Sequence, residues 1–85
     1  MQIQAEVSLY PLGERDALPE ILALIGALRA AGLRVDPGPL STLVSGECQA
    51  VFATLGTAYA RTARQGRRVL VLKIVNGPAE TAEDP

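Results

Sequence analysis

The sequence predicts an α+β domain in the order β-α-β-β-α-β, a four-stranded antiparallel sheet with two helices on one face. Three observations predict it. Apolar and polar residues alternate over residues 2–10, and residues 67–75 carry a strand-like run rich in Val and Leu. Apolar residues recur at helical spacing in two internal segments. Gly and Pro clusters separate these stretches.

The first strand places Ile3, Ala5, Val7 and Leu9 on one face and Gln2, Gln4, Glu6, Ser8 and Tyr10 on the other, the pattern of a half-buried strand. Pro11, Leu12 and Gly13 end it. Asp16 is the expected N-cap of a helix over 16–31, with Pro19 tolerated in its first turn. Leu18, Ile21, Leu22, Ile25 and Leu28 mark the expected buried stripe, and Gly32 the position just past the helix end. Residues 33–36 form a short second strand, bent by Pro37, Gly38 and Pro39 and therefore expected at an edge. Residues 41–45 form the third strand, pairing antiparallel with the second. Gly46 and Glu47 open the second helix, with Val51, Phe52, Leu55, Tyr59 and Ala63 on its buried side and Gly66 closing it. Gly56 weakens the middle of that helix by roughly 1 kcal/mol relative to Ala. The fourth strand, 67–75, turns Leu70, Leu72 and Ile74 one way and Val69, Val71, Lys73 and Val75 the other.

Right-handed crossovers fold this order into the ferredoxin-like arrangement, with the first and third strands central. A single domain spans 1–77, and 78–85, with two Pro and three acids, reads as an acidic, flexible tail. The helices cover one sheet face. The open face is expected to carry Glu6, Ser8, Tyr10, Thr42, Val69, Val71, Lys73 and Val75. Three valines on an uncovered face call for a partner surface, and a second copy of the chain is the simplest one.

Composition narrows function by exclusion. Eight Lys+Arg against nine Asp+Glu leave a net charge of −1, without the basic footprint of a nucleic-acid binder. No His is present, which removes His-based acid–base catalysis and His-ligated metals. One Cys, Cys48, excludes an internal disulfide and a Cys-rich zinc site, and fits a reducing, cytoplasmic setting. It falls in the first turn of the second helix and reads as a small packing residue. Neither a leader peptide nor a membrane span is expected. No metal or resident cofactor is expected either.

Two segments carry a specific resemblance. Ala5-Glu6-Val7-Ser8-Leu9-Tyr10-Pro11-Leu12-Gly13 and Gly38-Pro39-Leu40-Ser41-Thr42-Leu43-Val44-Ser45-Gly46-Glu47 are similar to the two signatures of the thiamine-binding, YkoF-like family, also called the MTH1187 family, of small ferredoxin-like proteins of the UPF0045 type. Lys73-Ile74 fits its last strand. The resemblance covers about residues 3–75. Val75-Asn76 stands where relatives usually carry an acidic residue. The resemblance implies a non-catalytic protein that forms dimers or tetramers through its sheets and binds thiamine or its hydroxymethylpyrimidine moiety.

The residues themselves suit such a ligand. Glu6 offers a carboxylate to an exocyclic amine or to the thiazolium cation. Ser8 and Thr42 offer hydroxyls, and Tyr10 a ring for stacking. Gly38 and Pro39 bend the chain at the mouth of that face. Glu47 and Lys73 complete the candidate set. Each has a plainer role beside it. Glu6 and Lys73 face each other on neighbouring strands and form an ion pair on that reading. Ser8, Thr42 and Tyr10 serve as ordinary strand residues, and Gly38 and Pro39 as turn chemistry. Glu47 complements the dipole of the helix it opens. Arg61, Arg64, Arg67 and Arg68 form a solvated basic patch, with a phosphate site as the minor alternative.

Three other classes compete. A phosphate-cradling catalytic loop after the first strand is disfavoured, because Glu14 and Asp16 flank its Arg15. An RNA-binding sheet needs aromatics on both central strands, and 41–45 has none. A regulatory sensor of another metabolite, resembling the ACT type, or a purely structural oligomer fits the same composition.

Overall fold

The computed structural model describes residues 1–13 and 16–77. The elements are β1 (Gln2–Pro11), α1 (Leu18–Ala30), β2 (Arg34–Pro37), β3 (Thr42–Glu47), α2 (Cys48–Ala63) and β4 (Arg68–Asn76). They form one antiparallel sheet in the order β2-β3-β1-β4, with β1 and β3 central, as the sequence predicts. The expected acidic tail, 78–85, lies outside the described residues, as do Glu14 and Arg15 of the loop after β1.

The alternation in β1 sets the core. Ile3, Ala5, Val7 and Leu9 are all buried, and they meet Val35, Val44, Leu24, Ile25, Leu28, Val51 and Leu55 beneath the helices. The register Glu6↔Lys73, Ser8↔Val71 and Tyr10↔Val69 turns the polar half of β1 and the valines of β4 to the open face, as expected. Leu43, Val71 and Val75 are exposed there.

Four expectations are corrected. Thr42 does not lie on the open face. It stands opposite Val7, is 8% exposed and faces the helices, whereas Leu43 stands opposite Glu6. Because side chains alternate with period two, a one-residue change of phase exchanges the two faces. The α1 stripe is also displaced. Glu20, Leu24, Ile25 and Leu28 are buried, whereas Leu18 and Leu22 are exposed. The N-cap position is Ala17, and Asp16 instead accepts the Leu18 amide at 3.0 Å. In α2, Val51, Leu55, Ala58 and Thr62 are buried, while Phe52 is exposed.

Two glycines have identifiable work. Gly32 has φ +84° just past α1. Its amide donates to the Arg29 carbonyl at 3.0 Å, and the Leu33 amide donates to that of Leu28 at 3.2 Å, which closes the helix as a Schellman motif. Gly46 lies where Leu33 crosses β3, and an added Cβ there would run into the Leu33 side chain.

Candidate functional site

The candidate residues separate into two places. Glu6, Ser8, Tyr10, Gly38, Pro39, Thr42 and Lys73 gather around the middle and far end of β1. Glu47 does not join them. It pairs with Gln2 at the opposite end of β1, roughly 26 Å along the strand from Tyr10. There Glu47 is the N-cap of α2, and its Oε1 accepts the Gln49 and Ala50 amides at 2.9 and 3.1 Å. Its carboxylate satisfies donors that an uncapped helix leaves orphaned.

Glu6 is the charged centre of the larger group. Its side chain is 45% exposed on the open face. Oε2 accepts the Ser41 hydroxyl at 3.0 Å, and Oε1 lies 3.9 Å from Lys73 Nζ. Among the described residues this long contact is what holds Lys73, and its side chain is 83% exposed. The expected Glu6–Lys73 pair therefore exists, but loosely. Ser41 orients the carboxylate, and it was not among the sequence candidates. Its place inside the second signature segment was the available signal.

The 38–41 turn forms the adjoining wall. The Gly38 amide donates to the Ser41 carbonyl at 2.9 Å, and a Cβ at Gly38 would lie 3.0 Å from that oxygen. The turn needs a residue this small to stay closed. One side of it meets a groove that contains Glu6, Asp36 and Leu43. The other side meets a cleft of about 280 Å³ bounded by Ser8, Tyr10, Thr42 and, from α1, Ile21 and Leu24. Thr42 thus reaches the cleft from the helix side of the sheet, not from the open face.

The second charged pair was not legible in the sequence. Arg68 leaves the expected solvated patch and is 6% exposed. Its Nε and Nη2 donate to Glu20 Oε1 and Oε2 at 2.7 and 2.6 Å, a two-point clamp between β4 and α1. The Tyr59 hydroxyl donates to the Arg68 carbonyl at 3.0 Å and ties α2 to the same point. The hydrogen bonding that Arg68 donates to the Glu20 carboxylate holds the guanidinium pKa above its ordinary value, against the opposing effect of burial. Arg61, Arg64 and Arg67 remain exposed. Among the described residues no group of His, Cys, Asp and Glu is arranged to hold a metal ion, and no helix is long and apolar enough to cross a membrane.

The fold is a ferredoxin-like α+β domain, and the family that its sequence matches supports a small-molecule binding role. The chain belongs to the thiamine-binding protein family, whose pattern it matches over residues 5–82. Similar solved structures include a hypothetical protein of Methanocaldococcus jannascii, with a TM-score of 0.81 at 22% identity over 93% of this chain and 84% of that one. A Thermotoga maritima protein described as a candidate in thiamine biosynthesis or salvage superposes with a TM-score of 0.77 at 22% identity, over 91% and 85% of the two chains. A Streptococcus pneumoniae protein gives 0.80 at 18% identity, over 96% and 93%. At these identities the likeness is one of fold. Curated proteins give no match.

Proposed function

We propose that this protein binds thiamine, or its hydroxymethylpyrimidine half, without transforming it, where Glu6, Ser41 and the 38–41 turn meet. One observation carries the reading. A member of the thiamine-binding protein family holds a half-exposed carboxylate, oriented by a hydroxyl, beside a cleft with further hydroxyls. The thiazolium is a fixed cation and suits the Glu6 carboxylate. Lys73 is displaceable, because exposed pairs at such separations contribute little. Ser8, Thr42 and Tyr10 supply neutral polar groups at the cleft, and Gly38 and Pro39 keep its wall thin. The same reading places the protein in the cytoplasm as a dimer or tetramer, with the exposed Leu43, Val71 and Val75 covered by a second copy.

Isothermal titration with thiamine, hydroxymethylpyrimidine and thiamine diphosphate tests it. Saturable binding of thiamine or the pyrimidine at micromolar affinity or tighter is the expected result. A folded oligomer that gives no heat with any of the three overturns it. The apolar open face would then favour the alternative, a structural oligomer or an ACT-like sensor of another metabolite.

A further inference from the structure

Three arginines gather without partners where α2 ends. Arg61, Arg64 and Arg67 are exposed, and none of their guanidinium groups has a hydrogen bond or ion pair among the described residues. Arg34 and Arg68, by contrast, pair with Asp36 and Glu20. Arginines near a helix C-terminus often bond its last carbonyls. Here the chain itself takes those carbonyls. The Gln65 amide donates to Thr62 at 3.0 Å and the Gly66 amide to Ala63 at 3.4 Å, and the Thr62 hydroxyl donates to the Tyr59 carbonyl at 3.0 Å. The guanidinium groups are therefore not spent on closing the helix.

Two of them line a cleft. Arg64 is the C-cap of α2, Arg67 precedes β4, and both border an open cleft of about 620 Å³. Gly66 stands between them with φ +146°, and a Cβ there would meet the Arg68 guanidinium at 2.9 Å. That guanidinium is committed to Glu20 and is closed off behind the glycine. The charge offered to the cleft is thus that of Arg64 and Arg67. No acidic residue lines it among the described residues, and Leu12, Ala63 and Val69 give it an apolar side.

We propose that this cleft binds a phosphomonoester carried on an apolar body. A phosphate dianion balances two guanidinium charges, and its terminal oxygens accept from their planar N–H forks. A single carboxylate would leave one of the two unmatched. The phosphate is far smaller than the cleft, so the organic part lies against Leu12, Ala63 and Val69. The whole chain carries a net charge of −1 and exerts no general pull on anions, so affinity comes from this local placement. The cleft shares no lining residue with the one at the 38–41 turn, and the proposal does not rest on thiamine binding.

NMR titration of the intact chain tests it, with phenyl phosphate, inorganic phosphate and phenol as probes. Phenyl phosphate is expected to shift the Gly66 and Val69 amides saturably, with a Kd below about 1 mM. Inorganic phosphate should bind at least about threefold more weakly, for want of apolar contact, and phenol should not bind. Arg64→Gln and Arg67→Gln should each weaken phenyl phosphate about tenfold. Arg29→Gln serves as the control, because Arg29 is exposed and lies about 13 Å along α1 from Glu20. It should leave the affinity unchanged. Melting curves of all three variants should match the parent, since none of these side chains is paired. No saturable shift, or a shift centred away from Gly66 and Val69, overturns the proposal. So does a loss of equal size in Arg29→Gln, which would make the attraction diffuse. Inorganic phosphate that binds as tightly as phenyl phosphate overturns it as well, because charge alone would then account for the binding.

Discussion

Glu20–Arg68 and Glu6–Lys73 are both carboxylate–cation pairs that join β4 to another element, and they differ in nearly every physical respect. The first is buried, two-pointed and 2.6–2.7 Å long. The second is open to solvent and 3.9 Å long, and its carboxylate leans on Ser41 rather than on the lysine. A buried charge must be matched completely, because an unmatched one carries a large desolvation cost. An exposed charge is free to change partners at little cost. The difference teaches that the first pair belongs to the fold, whereas the second adds little to it and leaves its carboxylate open to solvent.

Breaking the buried pair is expected to have the largest effect. Glu20→Ala leaves the Arg68 guanidinium buried and unpaired, and the thermal midpoint should fall by more than about 10 °C. Replacing both partners with apolar residues, Glu20→Leu with Arg68→Met, should recover much of that loss. Differential scanning calorimetry of the three proteins checks it, and equal losses in the single and double variants would contradict the assignment. The raised Arg68 pKa fixes the sign of its pH dependence. Its share of stability is complete below the ordinary guanidinium range and is lost only as pH rises above it.

That pair also marks where sequence reasoning reaches its limit. Glu20 and Arg68 are 48 positions apart, and each looks locally like a surface residue. Leu18, Ile21, Leu22, Ile25 and Leu28 form a plausible helical stripe. The helix buries Ile25 and Leu28 as that stripe expects, but turns Leu24 and Glu20 inward in place of Leu18 and Leu22. β1 was readable because its apolar residues strictly alternate. β3 was not, because adjacent Leu43 and Val44 suit either phase, and pairing with Val7 then decides that Thr42 faces inward. Glu6, Lys73 and the Gly38-Pro39 turn were legible as neighbours. Ser41 as the partner of Glu6 depends on where β3 begins, and no local pattern states that.

A second structural control lies at the other end of β3. Gly46→Ala pushes a methyl group into Leu33, with Val51 close behind, and should cost about 1–3 kcal/mol by chemical denaturation. Glu47→Ala should cost about 1 kcal/mol through the lost helix cap. Both variants should bind thiamine as the parent does once folded. A thiamine affinity that falls with Glu47→Ala would instead return this third carboxylate to the binding site.

The exposed pair should respond in the opposite sense. Glu6→Gln keeps the shape and an acceptor for Ser41 but removes the charge. Its stability should stay within about 0.5 kcal/mol of the parent. Its thiamine affinity should fall about tenfold, the size expected when one charge-assisted contact is lost. Titration calorimetry beside a melting curve separates the two quantities. A large loss of stability with unchanged affinity would make Glu6 a structural residue like Glu20.

The smallest expected effect is the most discriminating. Lys73 stands 3.9 Å from the same carboxylate and is otherwise in solvent. If Glu6 and Lys73 act together as a structural pair, Lys73→Met should reproduce the stability change of Glu6→Gln. If Glu6 serves the ligand, Lys73 is its occupant in the free protein and a competitor of the thiazolium. Lys73→Met should then leave the melting temperature almost unchanged and raise thiamine affinity by about two- to fivefold, with no gain for the uncharged pyrimidine. The gain should shrink at high salt, because an exposed ammonium is already screened there. Affinity that drops in Lys73→Met would place the lysine on the ligand itself.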